Sequence, residues 1–361
     1  MSARAAPDDA VLLQLLRSPA AARELSPRDW EDVFWQARST RLGGRLRRHL
    51  RDENLPPVVQ RRLLAAFTEA EYQRRQMLWE IDRLRRVIAA VAPDFILLKG
   101  GAYAAIGLEI ALGRPAGDLD VMVPFEKIAA IERAVLANGW EHVIIDEYDQ
   151  RYYRSWMHEL PPLCHRDRET ELDLHHAIAP RTSRLRLDMG PIFKAALPIE
   201  PGGPRTLAPI DMVLHCVVHL FHDGEIAGSL RDLVDFDGLL RHFGGNEFWS
   251  NLVPRALALG LGRPLFYGLR YAKRLLATPI PEAVTRACEA ARPSPPTLAL
   301  MDFAVPRALV PAASPWASAG ARISAFGLYV RSHWLRMSML PLLAHLARKS
   351  VRRWKPRPSE A

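Results

Sequence analysis

The sequence predicts an α+β protein: a mixed-sheet core flanked by an N-terminal and a C-terminal helical module. Three observations carry this. Residues 95–123 read FILLKGGAYAAIGLEIALGRPAGDLDVMV, two short apolar runs with strand character around a segment of helical composition. Residues 170–178 read TELDLHHAI, a further strand-like run. On either side of this region apolar residues recur every three or four positions, the period of helices that bury one face. The expected modules are helical over residues 1–91, α/β over residues 92–200, and helical over residues 201–361 with a basic tail.

Each element has a local reason. Residues 11–16 predict a short helix. Ser26 can cap a second helix, and Pro27 fits its first turn. Helices are expected around residues 42–51 and 57–91; in the latter Leu78, Ile81, Leu84, Val87, Ile88 and Val91 form a core-facing stripe, with arginines as the solvated face. The first strand, from Phe95, breaks at Lys99-Gly100-Gly101. The second carries Asp118 and Asp120. Residues 124–138 predict a helix that starts near Pro124 and stops at Gly139. Residues 142–146 read as a strand, 152–164 as a strand and a loop, and 170–177 as the strand holding Asp173. Strands separated by helices imply a mixed sheet with helices against it. The stretch EPGGPR at 200–205 reads as a linker. Helices are then expected over 210–220, 228–242, 247–258 and 263–276, closed by a Pro-rich loop at 292–296. Residues 321–348, with Phe326, Tyr329, Trp334, Leu335, Met339 and Leu342, form an apolar-basic helix. Core packing is its commonest use; docking to a partner or lying on a membrane surface are the alternatives.

Composition bounds the function. The 361 residues include 49 Lys+Arg against 40 Asp+Glu, a formal net charge of +9. That balance suits an anionic ligand such as a nucleoside triphosphate, an RNA, or a membrane surface, and it also suits an arginine-rich genome. Cys164, Cys216 and Cys288 show no paired spacing, so neither a disulfide framework nor a thiolate zinc site is expected. The start MSARAAPDDA lacks the apolar stretch of a signal peptide. No apolar run reaches the length of a transmembrane helix. A cytoplasmic location is the resulting expectation.

The chemistry centres on carboxylates. Strand residues two apart face the same way, so Asp118 and Asp120 lie side by side. Such a pair repels itself and resists desolvation, and Mg²⁺ or Mn²⁺ is the usual compensation. The plain reading is an ordinary Asp-x-Asp at a strand edge. Two further features favour a site. A Gly-Gly turn upstream can offer backbone N–H groups to a phosphate, and Asp173 can complete a two-metal arrangement for phosphoryl or nucleotidyl transfer.

These residues also carry a resemblance. The order Gly100-Gly101, Asp118-x-Asp120, then Asp173 resembles the nucleotidyltransferase superfamily typified by DNA polymerase beta. Within it, LLKGGAY, GRPAGDLDVMV, ELDLHHAI and LHCVVHLFHDGEIAGSLRDLVDF closely resemble a bacterial family of uncharacterised nucleotidyltransferases, over roughly residues 25–276. The resemblance implies that Asp118 and Asp120 hold the metals and that Asp173, rather than Glu171 of the same parity, completes the site as general base or metal positioner. It implies a phosphate-binding turn at Gly100 and Gly101, where Gly-Ser is the commoner pair. Lys99 and Arg114 are candidate phosphate ligands; the family places an arginine at Arg114, and Lys99 can equally pair with a carboxylate.

His215, His219, His222 and Asp223 form a second cluster. H-x-x-x-H puts two histidines on one helical face, as zinc sites do, which raises a metal phosphohydrolase as an alternative. The Glu of H-E-x-x-H is absent, and packed helical histidines are commoner. The resemblance puts His219 on the nucleotide side, and Arg231 with Asp232 either on the ligand or as a clamp between modules. His175 and His176 alternate in facing, so one should point to the cleft. The expected activity is metal-dependent transfer of a nucleoside monophosphate from a triphosphate such as ATP to an acceptor, with pyrophosphate leaving. A small molecule, a protein side chain and an RNA end are all open as acceptors. A non-catalytic nucleotide-binding or scaffold protein of the same fold is the other reading.

Overall fold

The N-terminal helices fall where the sequence pattern predicts them. In the computed structural model, which describes residues 10–144, 146–310 and 319–336, they are α1 (Val11–Arg17), α2 (Pro27–Ser39), α3 (Gly43–His49) and α4 (Pro57–Ile88). Ser26 and Asp29 form a reciprocal capping box at the start of α2, with Pro27 in its first turn. The 32-residue α4 buries Leu63, Met77, Ile81, Leu84 and Ile88 along one side.

The apolar runs of the middle region build one sheet. Its strands are β1 (Ile96–Leu97), β2 (Leu119–Met122), β3 (Trp140–His142), β4 (Leu163–His165), β5 (Glu171–His175), β6 (Leu197–Pro198) and β7 (Arg205–Thr206). Their order is β3-β4-β5-β2-β1-β7-β6. β2 runs parallel to β5 and antiparallel to β1, and β1 runs parallel to β7, so the sheet is mixed as expected. Helices α5 (Lys99–Ala105), α6 (Phe125–Leu136), α7 (Glu147–Trp156) and α8 (Gly190–Ala195) connect the strands.

Two expectations here change. The strand expected over 142–146 ends at His142, because Asp146 caps α7 by accepting the N–H groups of Tyr148 and Asp149; Tyr152 is accordingly helical. The stretch expected as a linker is the turn of a hairpin. Ile199 N–H donates to Pro204 O, and Arg205 N–H donates to Phe95 O at 2.8 Å, tying β7 to β1. Pro and Gly mark hairpin turns as readily as linkers, which is why the sequence alone does not separate the two.

Beyond the sheet lie α9 (Pro209–Val218), a π-helical turn at His219–Asp223, α10 (Leu230–Phe243), α11 (Asn246–Ala258), α12 (Gly262–Leu276), α13 (Glu282–Cys288), α14 (Pro295–Leu309) and α15 (Ala319–Arg336). The expected Pro-rich loop at 292–296 is the entrance to α14, whose first turn takes Pro295. α15 packs on α14 and buries Leu328. Its other face leaves Ile323, Phe326 and Val330 exposed. Met339, Leu342 and the basic tail lie outside the described residues. No helix among the described residues is long and apolar enough to cross a membrane. One apolar cluster runs from Leu12 through the sheet to Leu328, so the helices on both sides share a core with the strands.

Candidate active site

The parallel pairing of β2 with β5 sets Asp120 directly opposite Asp173. Equal pleat then turns both carboxylates to one face. Asp120 is only 2% exposed, and two nitrogen donors hold it. Lys99 Nζ donates to Asp120 Oδ1 at 2.7 Å, and His175 Nε2 donates to the same oxygen at 3.0 Å. Burial alone would raise the Asp120 pKa; Lys99 and His175 outweigh it and hold the carboxyl far below the ordinary range. Asp173 goes the other way. Burial first, then the charges of Glu159 and Asp120, push its pKa well above the ordinary carboxylate value. His175 is buried, which would lower its pKa, yet the Asp120 hydrogen bond and Glu159 bring it above the usual imidazole value. Asp118 sits one residue ahead of β2 and is exposed at the rim.

A basic wall faces these carboxylates. α5 begins at Lys99, whose φ of 42° lies in the left-handed region that a long side chain seldom occupies. The first backbone bond of the turn is Ala102 N–H to Leu98 O, so the N–H groups of Lys99, Gly100 and Gly101 stand at the free end of the helix. A Cβ on Gly100 would overlap the Arg114 guanidinium, so this glycine makes room for that cation. Arg114 Nε donates to Asp235 Oδ2 at 2.8 Å, and Arg45 Nη1 donates to Asp235 Oδ1 at 2.9 Å. His219 Nε2 lies 3.8 Å from Asp232 Oδ2, and Arg231 Nε donates to Asp232 Oδ1 at 3.4 Å. The charge of Lys99, then burial, holds the His219 imidazole neutral, with a pKa well below the usual value.

A cavity of about 100 Å³ brings Lys99, Gly100, Arg114, Asp118, Asp120, His219 and Arg231 onto one lining, together with Asp232 and Asp235. Of the other two predicted residues, Gly101 is buried against Leu119 and Asp173 lies beside Asp120 on β5. Neither lines the cavity.

Among the described residues, two groups place three potential ligand atoms within 4.8 Å of one another: Asp120, Asp173 and His175; and His158, Glu159 and His175. Asp118 belongs to neither group, and His175, the third member beside Asp120 and Asp173, uses its Nε2–H to hold Asp120. His215, His219 and His222 belong to neither as well. His222 Nε2 is engaged with Ser183 Oγ at 2.6 Å. His215 is pulled down to about 3, mainly by burial and then by Lys99. The cluster that suggested a phosphohydrolase is therefore packed into the wall beside the carboxylates. The clamp between helices and core runs through Asp235 and its two arginines; the hydrogen bond that Arg231 makes is to its own neighbour Asp232.

Sequence reasoning missed Glu159, Asp235 and Arg41. Glu159 reaches the carboxylate face through an isolated bridge to His175, a long-range pairing with no local pattern. Asp235 follows Arg231 by four residues on α10, a helical spacing that sets the two on one face and could have found it. Arg41 donates to Ala116 O at 3.1 Å; burial and then the nearby charges of Arg231 and Arg114 lower its pKa.

The fold and site define a class: an α+β protein with carboxylates paired across two parallel strands, opposed by a basic wall that combines Lys99 and Arg114, ahead of β2, with Arg231 of α10. Over residues 26–277, which include all the predicted site residues, the chain matches the profile of the family described as uncharacterised nucleotidyltransferase, and it belongs to that family. No curated protein and no solved structure matches it.

Proposed function

We propose that the protein is a metal-dependent nucleotidyltransferase of the DNA polymerase beta-like superfamily, moving a nucleoside monophosphate from a triphosphate such as ATP to an acceptor hydroxyl or phosphate, with pyrophosphate leaving. The register pairing of Asp120 with Asp173 carries this reading, in a chain that belongs to a nucleotidyltransferase family. The donor set fits a divalent cation. Both side-chain hydrogen bonds to Asp120 fall on Oδ1, Asp120 lines the cavity, and Asp173 is a half-buried carboxyl made unfavourable as an anion by its surroundings. Mg²⁺ or Mn²⁺ relieves such crowding with oxygen ligands, and Asp118, Asp120 and Asp173 would hold it. When bound, the ions would supply charge neutralisation on the phosphates and activation of the acceptor oxygen.

The chain's own residues do the rest. Lys99, Arg114 and Arg231 place positive charge on the cavity wall, and the N–H of Gly100 adds a donor for the polyphosphate, while Gly101 lets the turn pack against Leu119. Asp173, opposite Asp120 on the neighbouring strand, either takes the acceptor proton as general base or positions the ion that activates the acceptor. Neutral His219 offers a hydrogen bond to nucleotide or acceptor. The cavity is too small for a whole nucleotide, and it shares Met77, Ala116 and Gly117 with a cleft of about 530 Å³ that also takes in Trp79 and Gln76. The nucleoside or the acceptor extends into that cleft, and a cytoplasmic triphosphate pool suits this chemistry.

Calorimetry of triphosphate binding with Mg²⁺ and with chelator tests the proposal. Binding that needs the metal supports it; equal affinity in both conditions overturns it.

A further inference from the structure

The second ligand group lies on the far side of His175 from Asp120. Its backbone is pinned: Leu160 N–H donates to Leu174 O at 2.9 Å, and His176 N–H donates to His158 O at 2.8 Å. Between these bonds Glu159 bridges to His175, so a carboxylate and an imidazole stand side by side. The His175 ring is 3% exposed and gives Nε2 to Asp120. Its Nδ1 is buried and makes no hydrogen bond, although Glu159 Oε2 stands 3.4 Å away. His158 completes the cluster: its Nε2 is 3.9 Å from the same Glu159 oxygen, and its ring centroid is 5.2 Å from that of His175.

We infer that His158, Glu159 and His175 form a site for a transition-metal ion of the zinc class, separate from the oxygen-rich site proposed for Mg²⁺. Two imidazole nitrogens and one carboxylate oxygen make a set that favours zinc-like ions and leaves a fourth position open. The hydrogen bond from His175 Nε2 to Asp120 is the outer contact that fixes the ring and turns Nδ1 toward the ion. The three donor atoms all lie within 4.8 Å of one another. An ion there ties the His158–Glu159 segment to β5 and steadies the imidazole that holds Asp120. The inference does not depend on nucleotidyl transfer.

The test is metal content of the protein as purified, followed by Co²⁺ titration of chelator-treated protein read by visible absorption. One equivalent of Co²⁺ with the bands of a four- or five-coordinate nitrogen-containing site is expected, resistant to excess Mg²⁺ and retained in Asp173→Asn. Glu159→Gln and His158→Gln should each weaken Co²⁺ binding by more than about tenfold. Glu159→Gln preserves size and shape, so it decides the matter if His158→Gln does not fold. Absence of Co²⁺ bands in the parent, their loss to Mg²⁺, or unchanged binding in Glu159→Gln overturns the assignment.

Discussion

Lys99 Nζ sits 2.7 Å from Asp120 Oδ1, with side-chain exposures of 20% and 3%. The ammonium is an internal counter-ion for the carboxylate that the proposed mechanism gives to a metal. Removing it leaves Asp120 buried with His175 as its remaining side-chain hydrogen-bond partner. Lys99→Met is expected to lower stability in chelator by about 3 kcal/mol, the scale for breaking a buried pair by deleting one partner. Mg²⁺ should restore part of that loss. Thermal denaturation with and without Mg²⁺ checks this, and a variant as stable as the parent in chelator would remove the counter-ion role.

Asp173 predicts the opposite behaviour. Its folded pKa lies above the 3.8 of an exposed aspartate. The protonated carboxyl therefore contributes stability that is fully present below pH 3.8 and is lost as pH rises through the raised value. Asp173→Asn does not titrate, so in chelator it should gain on the parent as pH rises, by more than about 1.4 kcal/mol, the worth of one pKa unit. Mg²⁺ should narrow the gap. Melting temperatures across pH, with and without metal, read the effect; a variant less stable than the parent at alkaline pH contradicts it.

Asp235 and Arg231 separate structure from ligand binding. Asp235 holds Arg45 and Arg114, both largely buried. Asp235→Ala should destabilise the protein by about 3–5 kcal/mol, because two guanidinium groups lose their partner. Arg231→Ala should leave the melting temperature nearly unchanged and weaken triphosphate binding by about 1–3 kcal/mol, the range for a lost hydrogen bond to a charged group. A stability loss with unchanged affinity in Arg231→Ala would move that residue out of the site.

Buried neutral histidines set the acid limit. Burial takes His215 down to about 3 and His176 to about 4, from 6.5. Their contribution is present above pH 6.5 and is lost as pH falls toward the folded values, at up to about 1.4 kcal/mol per pH unit for each group. His215→Asn should flatten the fall in melting temperature between pH 6.5 and 4. An unchanged slope would show that His215 does not drive it.

The legible parts of the molecule were those written locally. Ser26, Pro27 and Asp29 announce α2 over four residues, and the alternation in LDV and LDL announces β2 and β5. Strand alternation put one of His175 and His176 toward the cleft without choosing between them, and the contact with Asp120 picks out His175. What the sequence hides is pairing across distance. Nothing near Glu159 shows that it will meet His175, and nothing near Asp235 shows that Arg45 and Arg114 converge on it. The hairpin turn at 199–204 was misread because one set of turn residues serves two architectures.

The most direct measurement of the central claim is label transfer. The protein is incubated with Mg²⁺ and a cell extract, using each triphosphate labelled at the α-phosphate and, in parallel, at the γ-phosphate. The account predicts that α-label passes to an acceptor, that γ-label leaves as pyrophosphate, and that folded Asp120→Asn does neither. Transfer of γ-label to the acceptor, or α-label transfer undiminished in Asp120→Asn, would contradict it.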